Sequence, residues 1–449
     1  MSATLLPSPE LTRPGVVQDT PLIRPFASIR RADVPTVGGK GANLGEMVAA
    51  GLPVPPGFVL AIEAYRRFYV ANELGPIVGA ELATLNADDP TALDRASARL
   101  RASIADGEVP DDMLHEILTA YRSLVGTGPA VGRVAVRSSA TAEDTAQFSF
   151  AGMFESFLNV TGEDGLIEAV KACWASTFSA RVLFYRVKQG LPLEMPVAVV
   201  VQAMVNSEKS GVMFTCDPAT HDLSRMVIEA AWGLGESVVQ GAVTPDRHVV
   251  DKQSLSVVAT TISAKEFLLT WDSAAKRTAR VDLAGDARST APVLTPHELS
   301  VLAGLARRAE KHYGAPQDME FAIEGTNIML TQSRPITTLG AAAAIDEAAP
   351  ATSQEPVVRG LGASPGTATG KVRVLSAPSE ESAMQNGEIL VTRMTSPDWV
   401  PIMRRAAAIV TDSGGMTSHA AIVARELGLP CIVGAHDATR VLHTGTVVT

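Results

Sequence analysis

The feature that most constrains the fold is a stretch of 18 residues, "LGAAAAIDEAAPATSQEP", from Leu339 to Pro356. It is rich in Ala, Pro, Ser and Glu and has no apolar stripe, which is typical of a linker. A flexible chain of that length spans roughly 23 Å, so a domain attached to it can move. At 449 residues the chain is also too long for one ordinary domain. We therefore expect a flexible lead over residues 1–20, a large domain over 21–338, the linker over 339–356 and a small domain over 357–449.

Composition indicates a mixed α/β protein and excludes several classes of function. The chain is 46% hydrophobic and 19% charged, and its formal net charge is −10, which argues against nucleic-acid binding through a basic field. Cys173, Cys216 and Cys431 are far apart and form no C-x-x-C pair, which is typical of a reducing compartment. No run approaches the roughly 20 apolar residues of a membrane span, and the N-terminus has no secretory signal pattern. We expect a cytoplasmic protein without membrane or nucleic-acid partners.

Periodicity and turn residues predict the main elements. We expect a helix from about Ala42 to Ala50, largely helical structure over 61–125, and a single helix over 166–190. A capped amphipathic helix should follow Thr295, and a β-hairpin should turn at Glu324–Gly325–Thr326–Asn327.

A histidine at the start of a short helix is the first candidate for chemistry. "SGGMTSHAAIVARELGLP" predicts a glycine turn after a strand and then a helix from His419 to Leu427, with Thr417 or Ser418 as its N-cap and Gly428 as its end. Unpaired N–H groups and the helix dipole would stabilise an anion on the imidazole and disfavour imidazolium, leaving a neutral nitrogen able to attack phosphorus. A structural cap is the alternative. A metal ligand is disfavoured, because no second ligand stands at a suitable spacing on this helix.

Other segments suit a nucleoside triphosphate. Glycines surround Lys40 in "GGKGANLGEM", before a helix, although the Walker A spacing is absent. Arg137 ends the apolar strand "VAVR", and the polar loop that follows could cover a nucleotide. The end of "VVVQAMV" could lie along an adenine edge, which involves Gln202, Met204 and Val205. The alternative for each segment is an ordinary turn, hairpin or strand.

Three residues of the predicted hairpin suit a magnesium–phosphate site. Glu320 and Gln332 would face each other on adjacent strands, and carboxylate and amide oxygens suit Mg²⁺ shared with phosphates. Arg334 could reach the transferring phosphoryl group. An ordinary sheet surface is the alternative.

Eight blocks in one order carry a family resemblance: GGKGANLGEM, VRSSATAED…FAG, VQAMV, GVMFTCDP, AWGLGESVVQGAVTPD, DMEF, QSRPIT and GGMTSHAAIVARELGLPCIVG. Together they resemble phosphoenolpyruvate synthase and pyruvate, phosphate dikinase over nearly all of residues 21–449. The resemblance implies an α/β (α+β) architecture, an ATP-grasp nucleotide-binding domain followed by a swivelling β/β/α phosphohistidine domain. It also implies an enzyme of pyruvate metabolism in which ATP pyrophosphorylates the histidine and AMP is released. One phosphoryl group then passes to water in the synthase or to phosphate in the dikinase, and the other passes to pyruvate.

The resemblance also implies a role for each candidate. His419 would carry the phosphoryl group, Thr417 would orient it, and Arg334 would orient the β- and γ-phosphates. Lys40 and Arg137 would hold the ATP phosphates, and Glu320 and Gln332 would bind Mg²⁺. Ser418 stands where many synthases have Cys, and His221 stands where the family usually has Gly.

The family continues with a TIM barrel that binds pyruvate, whereas this sequence ends before the last strand of the histidine domain. We therefore expect no barrel here, as in a fragment, a truncated gene product or one subunit of a split enzyme. Pyruvate or phosphoenolpyruvate would then be handled by an absent or separate domain, and a second copy or an acceptor subunit would be a partner. The alternatives are a dikinase-like enzyme, a phosphotransferase for an antibiotic or a phenol, and a non-catalytic nucleotide-binding partner. The short linker disfavours the antibiotic enzymes, whose acceptor domain lies at that point.

Overall fold

In a computed structural model of the chain, the described residues are 21–86, 89–126, 132–141, 155–192, 195–336, 355–416 and 418–449. They divide into two units, one ending at Val205 and one beginning at Asn206. Both units combine helices with sheets, so the predicted mixed α/β class is confirmed. None of the described helices has the length and hydrophobicity of a membrane span. The lead over 1–20 and all but the last two residues of the linker lie outside them, so the domain boundaries stay a prediction.

The first unit is an antiparallel sheet covered by helices. Its strands are β1 (Ile23–Pro25), β2 (Gly57–Leu60), β3 (Arg133–Ala140), β4 (Ser156–Thr161) and β5 (Val197–Ala203), in the spatial order β1-β2-β5-β3-β4. Its helices are α1 (Val34–Ala49), α2 (Ile62–Ala71), α3 (Leu74–Ala83), α4 (Pro90–Asp106), α5 (Asp111–Val125), α6 (Glu163–Ser176) and α7 (Ala180–Gln189).

The two faces of this sheet differ, because side chains alternate along a strand. On one face Val134, Val136 and Val201 join the apolar core with Phe68 and Trp174. The other face carries polar side chains and packs against α1. The polar candidates of this unit lie on that second face.

Two predicted helix boundaries were wrong. The helix near Lys40 starts earlier than Ala42, at Val34, and is broken only at Gly38, whose φ of 71° is left-handed. The single helix predicted over 166–190 is two helices, α6 and α7. The hydroxyl of Ser176 bonds back to the Cys173 carbonyl at 2.7 Å near the end of α6, and Ser179 caps α7.

The second unit contains two six-stranded sheets and a hairpin. Its strands are β6 (Lys209–Phe214), β7 (Arg225–Trp232), β8 (Asp246–Asp251), β9 (Val257–Thr261), β10 (Phe267–Asp272), β11 (Arg277–Asp282), β12 (Gln317–Glu324), β13 (Asn327–Pro335), β14 (Leu361–Ser364), β15 (Gly370–Val374), β16 (Ile389–Thr392), β17 (Ala408–Thr411), β18 (Cys431–Val433) and β19 (Val447–Val448). Its helices are α8 (Glu236–Val239), α9 (Pro296–Tyr313), α10 (Val400–Met403), α11 (His419–Leu427) and α12 (Ala438–Val441). The sheets have the orders β13-β12-β6-β7-β8-β9 and β14-β18-β17-β16-β15-β19, and β10 pairs with β11.

The predicted hairpin and amphipathic helix are confirmed. β12 and β13 pair antiparallel, with Glu324 opposite Asn327 at the turn. Helix α9 begins with a capping box between Thr295 and Glu298 and ends at Gly314, which has a left-handed φ of 68°.

The C-terminal part of the second unit packs on the first of its sheets. Val212, Phe214 and Val227 of β6 and β7 share one apolar core with Met416 and Ala420, which flank His419 in the sequence. This contact brings the histidine helix to the face of the β13–β9 sheet.

Candidate functional site

The strand, turn and helix around His419 match the sequence prediction. β17 ends at Thr411, and α11 runs from His419 to Leu427. The Ser418 hydroxyl accepts a hydrogen bond from the Ala421 N–H at 3.4 Å, so Ser418 is the N-cap, and Gly428 ends the helix with a φ of 67°. Thr417 lies outside the described residues, and its orienting role stays a prediction.

The imidazole of His419 contacts a threonine that the sequence analysis did not single out. Thr395 Oγ1 lies 2.9 Å from His419 Nδ1, and Thr395 is buried. β16 and β17 are parallel, so Thr395, after β16, and His419, after β17, meet at the carboxyl edge of the sheet. When Nδ1 carries the proton and donates it to the threonine oxygen, the lone pair of the ring is on Nε2. The contact therefore fits nucleophilic attack by Nε2.

A row of side chains crosses the β13–β9 sheet in register. Glu320 of β12 is opposite Gln332 of β13 on one side and Val212 of β6 on the other. Val212 is opposite Glu229 of β7, which is opposite Arg247 of β8. Directly opposite residues of antiparallel strands project to the same face. The two predicted magnesium ligands therefore lie side by side, and a second carboxylate lies two strands away on that face.

Arg334 lies in the neighbouring row and is held by an acid. The register pairs it with Asp318, whose Oδ2 accepts from Arg334 Nε at 2.9 Å and lies 2.8 Å from Nη2. Asp318 is two residues before Glu320, so both project to the face of the row. The pair fixes the guanidinium next to the predicted magnesium ligands.

Glu229 connects this sheet to the loop before His419. Both of its carboxylate oxygens accept from the Met416 N–H, at 3.1 and 2.9 Å, and the residue is fully buried. Burial raises the pKa of Glu229 to about 7, against the opposing effects of this N–H and the guanidiniums of Arg247 and Arg425. Arg425 of α11 donates to the Met416 carbonyl at 2.7 Å, and its pKa is lowered by burial. Met416 is thus bound on both sides of its backbone, three residues before His419.

The donor set fits a magnesium ion that shares its coordination with phosphates. Among the described residues no group of three or more His, Cys, Asp or Glu side chains forms a metal cluster. Glu320 and Gln332 nevertheless supply a carboxylate and an amide oxygen from opposed positions. Mg²⁺ commonly takes one or two protein oxygens and completes its shell with water and phosphate. The pair therefore fits Mg²⁺ bound together with a nucleotide.

In the first unit, the turn that carries Lys40 is bonded to β3. Gly41 N–H donates to Ser139 Oγ at 3.0 Å, and that hydroxyl donates to the Val37 carbonyl at 2.8 Å. A Cβ on Gly38 would lie 2.1 Å from the Ser139 carbonyl oxygen, so the backbones meet only because residue 38 is glycine. Lys40, at the start of the helical segment after this break, is therefore fixed beside the end of β3.

Arg137 and the predicted adenine-edge residues are in β3 and at the end of β5. Arg137 is opposite Val200 and Ala135 is opposite Gln202, which puts Arg137 and Gln202 on one face of the sheet. Gln202, Met204 and Val205 are all buried. No described residue accepts a hydrogen bond from Gln202 Nε2, so this buried donor is available to a ligand acceptor.

The structure brings some of the candidates together and adds others. In the second unit, the helix of His419 packs on the sheet face that carries Glu320, Gln332 and Arg334. In the first unit, the sheet face beside the Lys40 turn carries Arg137 and Gln202. Sequence reasoning missed Asp318, Thr395 and Glu229. A glutamate within the apolar strand "RMVIEAAW" was a usable signal, because unpaired acids are rarely buried.

The two departures from the family pattern are compatible with the local structure. Ser418 caps the histidine helix with its hydroxyl. His221 has a φ of 59°, in the left-handed region that favours glycine, so this histidine stands at a position suited to the glycine of the family.

Comparisons with known proteins identify the family of the chain. Residues 34–355 match the family described as "Pyruvate phosphate dikinase, AMP/ATP-binding domain", and residues 384–449 match "PEP-utilising enzyme, mobile domain". The chain is 45% identical to the probable phosphoenolpyruvate synthase of Methanothermobacter thermautotrophicus, 47% to that of Archaeoglobus fulgidus and 43% to the phosphoenolpyruvate synthase of Pyrococcus furiosus. These alignments cover 94%, 94% and 95% of this chain, but only 61%, 56% and 57% of the three relatives. The chain thus spans about three fifths of the length of these relatives, and it belongs to the phosphoenolpyruvate synthase and pyruvate, phosphate dikinase family of PEP-utilising enzymes.

Proposed function

We propose that this chain transfers a pyrophosphoryl group from ATP to His419, gives a phosphohistidine intermediate, and is the ATP-binding and histidine half of a phosphoenolpyruvate synthase. The complete reaction converts ATP, pyruvate and water to phosphoenolpyruvate, AMP and phosphate, and it requires a pyruvate-binding domain in the same or another chain. The observation that carries the proposal is the packing of the His419 loop on the sheet face that bears Glu320, Gln332 and Arg334.

The relatives and family descriptions support the nucleotide and the acceptor. One matched family is described as an AMP/ATP-binding domain and the other as a mobile domain of PEP-utilising enzymes. The relatives named above are phosphoenolpyruvate synthases or probable ones. A histidine on a mobile domain can receive a group at one site and deliver it at another.

The contact of Thr395 with Nδ1 supports a loading step in which Nε2 is the nucleophile. Nε2 of His419 attacks the β-phosphorus of ATP, and a nitrogen–phosphorus bond forms. The bond from that phosphorus to the oxygen bridging to the α-phosphate breaks, and AMP leaves with the oxygen. The ring becomes positively charged as this happens, so the Nδ1–H donates more strongly to Thr395 Oγ1. Water then releases the terminal phosphoryl group as phosphate, and the remaining one passes to the enolate oxygen of pyruvate.

The other candidates bind and orient the nucleotide. Lys40 and Arg137 bind phosphate oxygens, Gln202 Nε2 donates to a base acceptor, and Arg334, held by Asp318, orients the β- and γ-phosphates. Glu320 and Gln332 would hold Mg²⁺, which neutralises phosphate charge when bound.

Incubation with β-labelled ATP and Mg²⁺ tests the loading step. We expect label on the protein that survives alkali and is lost in acid, as expected of a phosphorus–nitrogen bond. His419→Asn should remove it, whereas His443→Asn, at an exposed histidine of the same C-terminal segment, should not. Folded wild-type protein that takes up no label, or a His419→Asn variant that labels normally, would contradict the proposal.

Adding pyruvate, with and without the pyruvate-binding domain of a longer relative, tests the acceptor. Phosphoenolpyruvate formed only with that domain supports the synthase. Discharge by phosphate instead of water would favour a dikinase-like reaction. A loaded histidine that never discharges to pyruvate would refute the proposed acceptor and leave an antibiotic or a phenol as the substrate class.

A further inference from the structure

Glu229 stands at the contact between the His419 loop and the β13–β9 sheet. It belongs to β7, and it accepts a hydrogen bond from the N–H of Met416, which is 187 positions away in the chain. Within the described part of the chain it forms no salt bridge, although it is fully buried. A buried carboxylate without an ion-pair partner is costly, so its presence requires a specific reason.

The surrounding backbone is shaped to admit this carboxylate. A Cβ on Gly415 would lie 2.5 Å from Glu229 Oε2 and 2.9 Å from Pro245 Cγ. A Cβ on Gly241 would lie 2.7 Å from that of Ser418, the N-cap of the histidine helix. Glycines on both sides thus let the "GAVTP" segment approach Gly414, Gly415 and Ser418 closely. Two sequence blocks far apart in the chain form one docking contact.

We propose that Glu229 positions the loop of His419 for loading from ATP, by accepting the Met416 N–H when the C-terminal domain docks and by returning to water when that domain leaves. The proposal rests on the phosphohistidine function proposed above. Among the described residues the hydrogen-bond partner of the Glu229 carboxylate is the Met416 N–H, not the imidazole, and Val212 separates Glu229 from Glu320 in the register of the sheet. It is therefore a positioning residue.

Burial of Glu229 in the contact gives docking a pH dependence. Burial raises the pKa of Glu229 to about 7 in the docked state. Arg247 of β8 and Arg425 of α11 lower this pKa and Asp318 of β12 raises it, but the effect of burial is the largest. An exposed glutamate has a pKa near 4.5. The docked state therefore holds the proton more tightly, and the contribution of Glu229 to docking is lost as pH rises through 7. The docking constant should increase about tenfold from pH 8 to pH 6.

Two substitutions separate the acceptor from the charge. Glu229→Ala leaves the buried Met416 N–H without its acceptor, and we expect single-turnover labelling of His419 to slow by about 5- to 150-fold at unchanged ATP affinity. Glu229→Gln keeps an acceptor oxygen without the charge, so labelling should persist at pH 8. The ratio of the wild-type labelling rate to the Glu229→Gln rate should then rise about tenfold when the pH is lowered from 8 to 6. Other groups titrate equally in both proteins, so their effects cancel in this ratio.

Hydrogen exchange provides a readout that does not depend on activity. In Glu229→Ala the peptide containing residues 413–418 should exchange faster, while peptides from β6 and β8 should not. Glu310→Gln is the matched control, because it removes a partly exposed carboxylate of α9 that pairs with Lys252. This variant should behave like wild type.

The outcomes distinguish this inference from the proposed function. Absence of His419 label in the wild-type protein would refute the function, but the exchange experiment would still test the docking contact. Normal labelling and exchange in Glu229→Ala would overturn the positioning role. Equal loosening of β6 and β8 would assign Glu229 to sheet stability and also overturn it, and a flat pH ratio would overturn the role of the charge.

Discussion

Replacing Thr395 with valine is expected to slow the loading of His419. The Thr395 hydroxyl lies 2.9 Å from His419 Nδ1 and is the partner by which the proposed mechanism keeps the proton on that nitrogen. The residue is only 4% exposed, so water is poorly placed to take over. A hydrogen bond from a charged donor contributes about 1.5–3 kcal/mol, and the ring gains charge during the transfer. Valine should therefore reduce the single-turnover labelling rate by about 10- to 150-fold.

Thr395→Ser is the matched control, because it keeps the hydroxyl and removes only a methyl group. Its labelling rate should stay within about threefold of wild type, since the hydrogen bond persists. ¹⁵N NMR of the histidine ring gives a second readout. The wild-type ring should carry its proton on Nδ1, and the valine variant should shift protonation toward Nε2. Labelling by Thr395→Val at the wild-type rate, or an unchanged tautomer, would refute this account of the nucleophile.

Three other substitutions test contacts elsewhere in the second unit. Gly415→Ala should slow His419 labelling without changing ATP affinity, because its Cβ would lie 2.5 Å from a carboxylate oxygen of Glu229. Gly362→Ala is the control and should label normally, because its Cβ would meet nothing within 4 Å. Equal labelling rates for the two variants would contradict the docking contact. Lys265→Met leaves a fully buried aspartate without its ion pair and should lower the free energy of unfolding in urea by about 3–5 kcal/mol. Arg288→Met, at an exposed pair, is the control and should leave that free energy nearly unchanged. Similar urea midpoints for the two variants would exclude a special role of the buried pair. Glu320→Gln should raise the Mg²⁺ concentration needed for labelling by tenfold or more, and an unchanged Mg²⁺ requirement would remove this residue from the metal site.

Elements defined by local signals could be predicted from the sequence. The α9 helix has a capping box at Thr295 and a left-handed glycine at its end, and α11 has a serine cap and Gly428. The hairpin followed from its short turn, which also fixed the register of Glu320 against Gln332. Caps and tight turns act over a few residues, so their effect is visible in a short segment of sequence.

Other boundaries depended on packing. Gly38 breaks α1 where its backbone meets Ser139, about 100 residues further along the chain. Gly41 and Gly45 are helical although glycine disfavours helices, because a Cβ there would lie 3.0 Å from Val59 and 2.5 Å from Ile29, respectively. Periodicity carries no information about such contacts.

The sequence by itself determined the local frame of His419, the hairpin that places Glu320 opposite Gln332, which we propose as metal ligands, and the membership of the family. Only the tertiary structure decided which residues contact the candidate side chains. Thr395 contacts the imidazole, Asp318 contacts Arg334, and Glu229 contacts the loop before the histidine. The physical reason is that these contacts depend on strand order, register and the docking of one sheet on another. Those are set by burial of apolar surface over the whole unit, whereas caps and turns are set by neighbours in the chain.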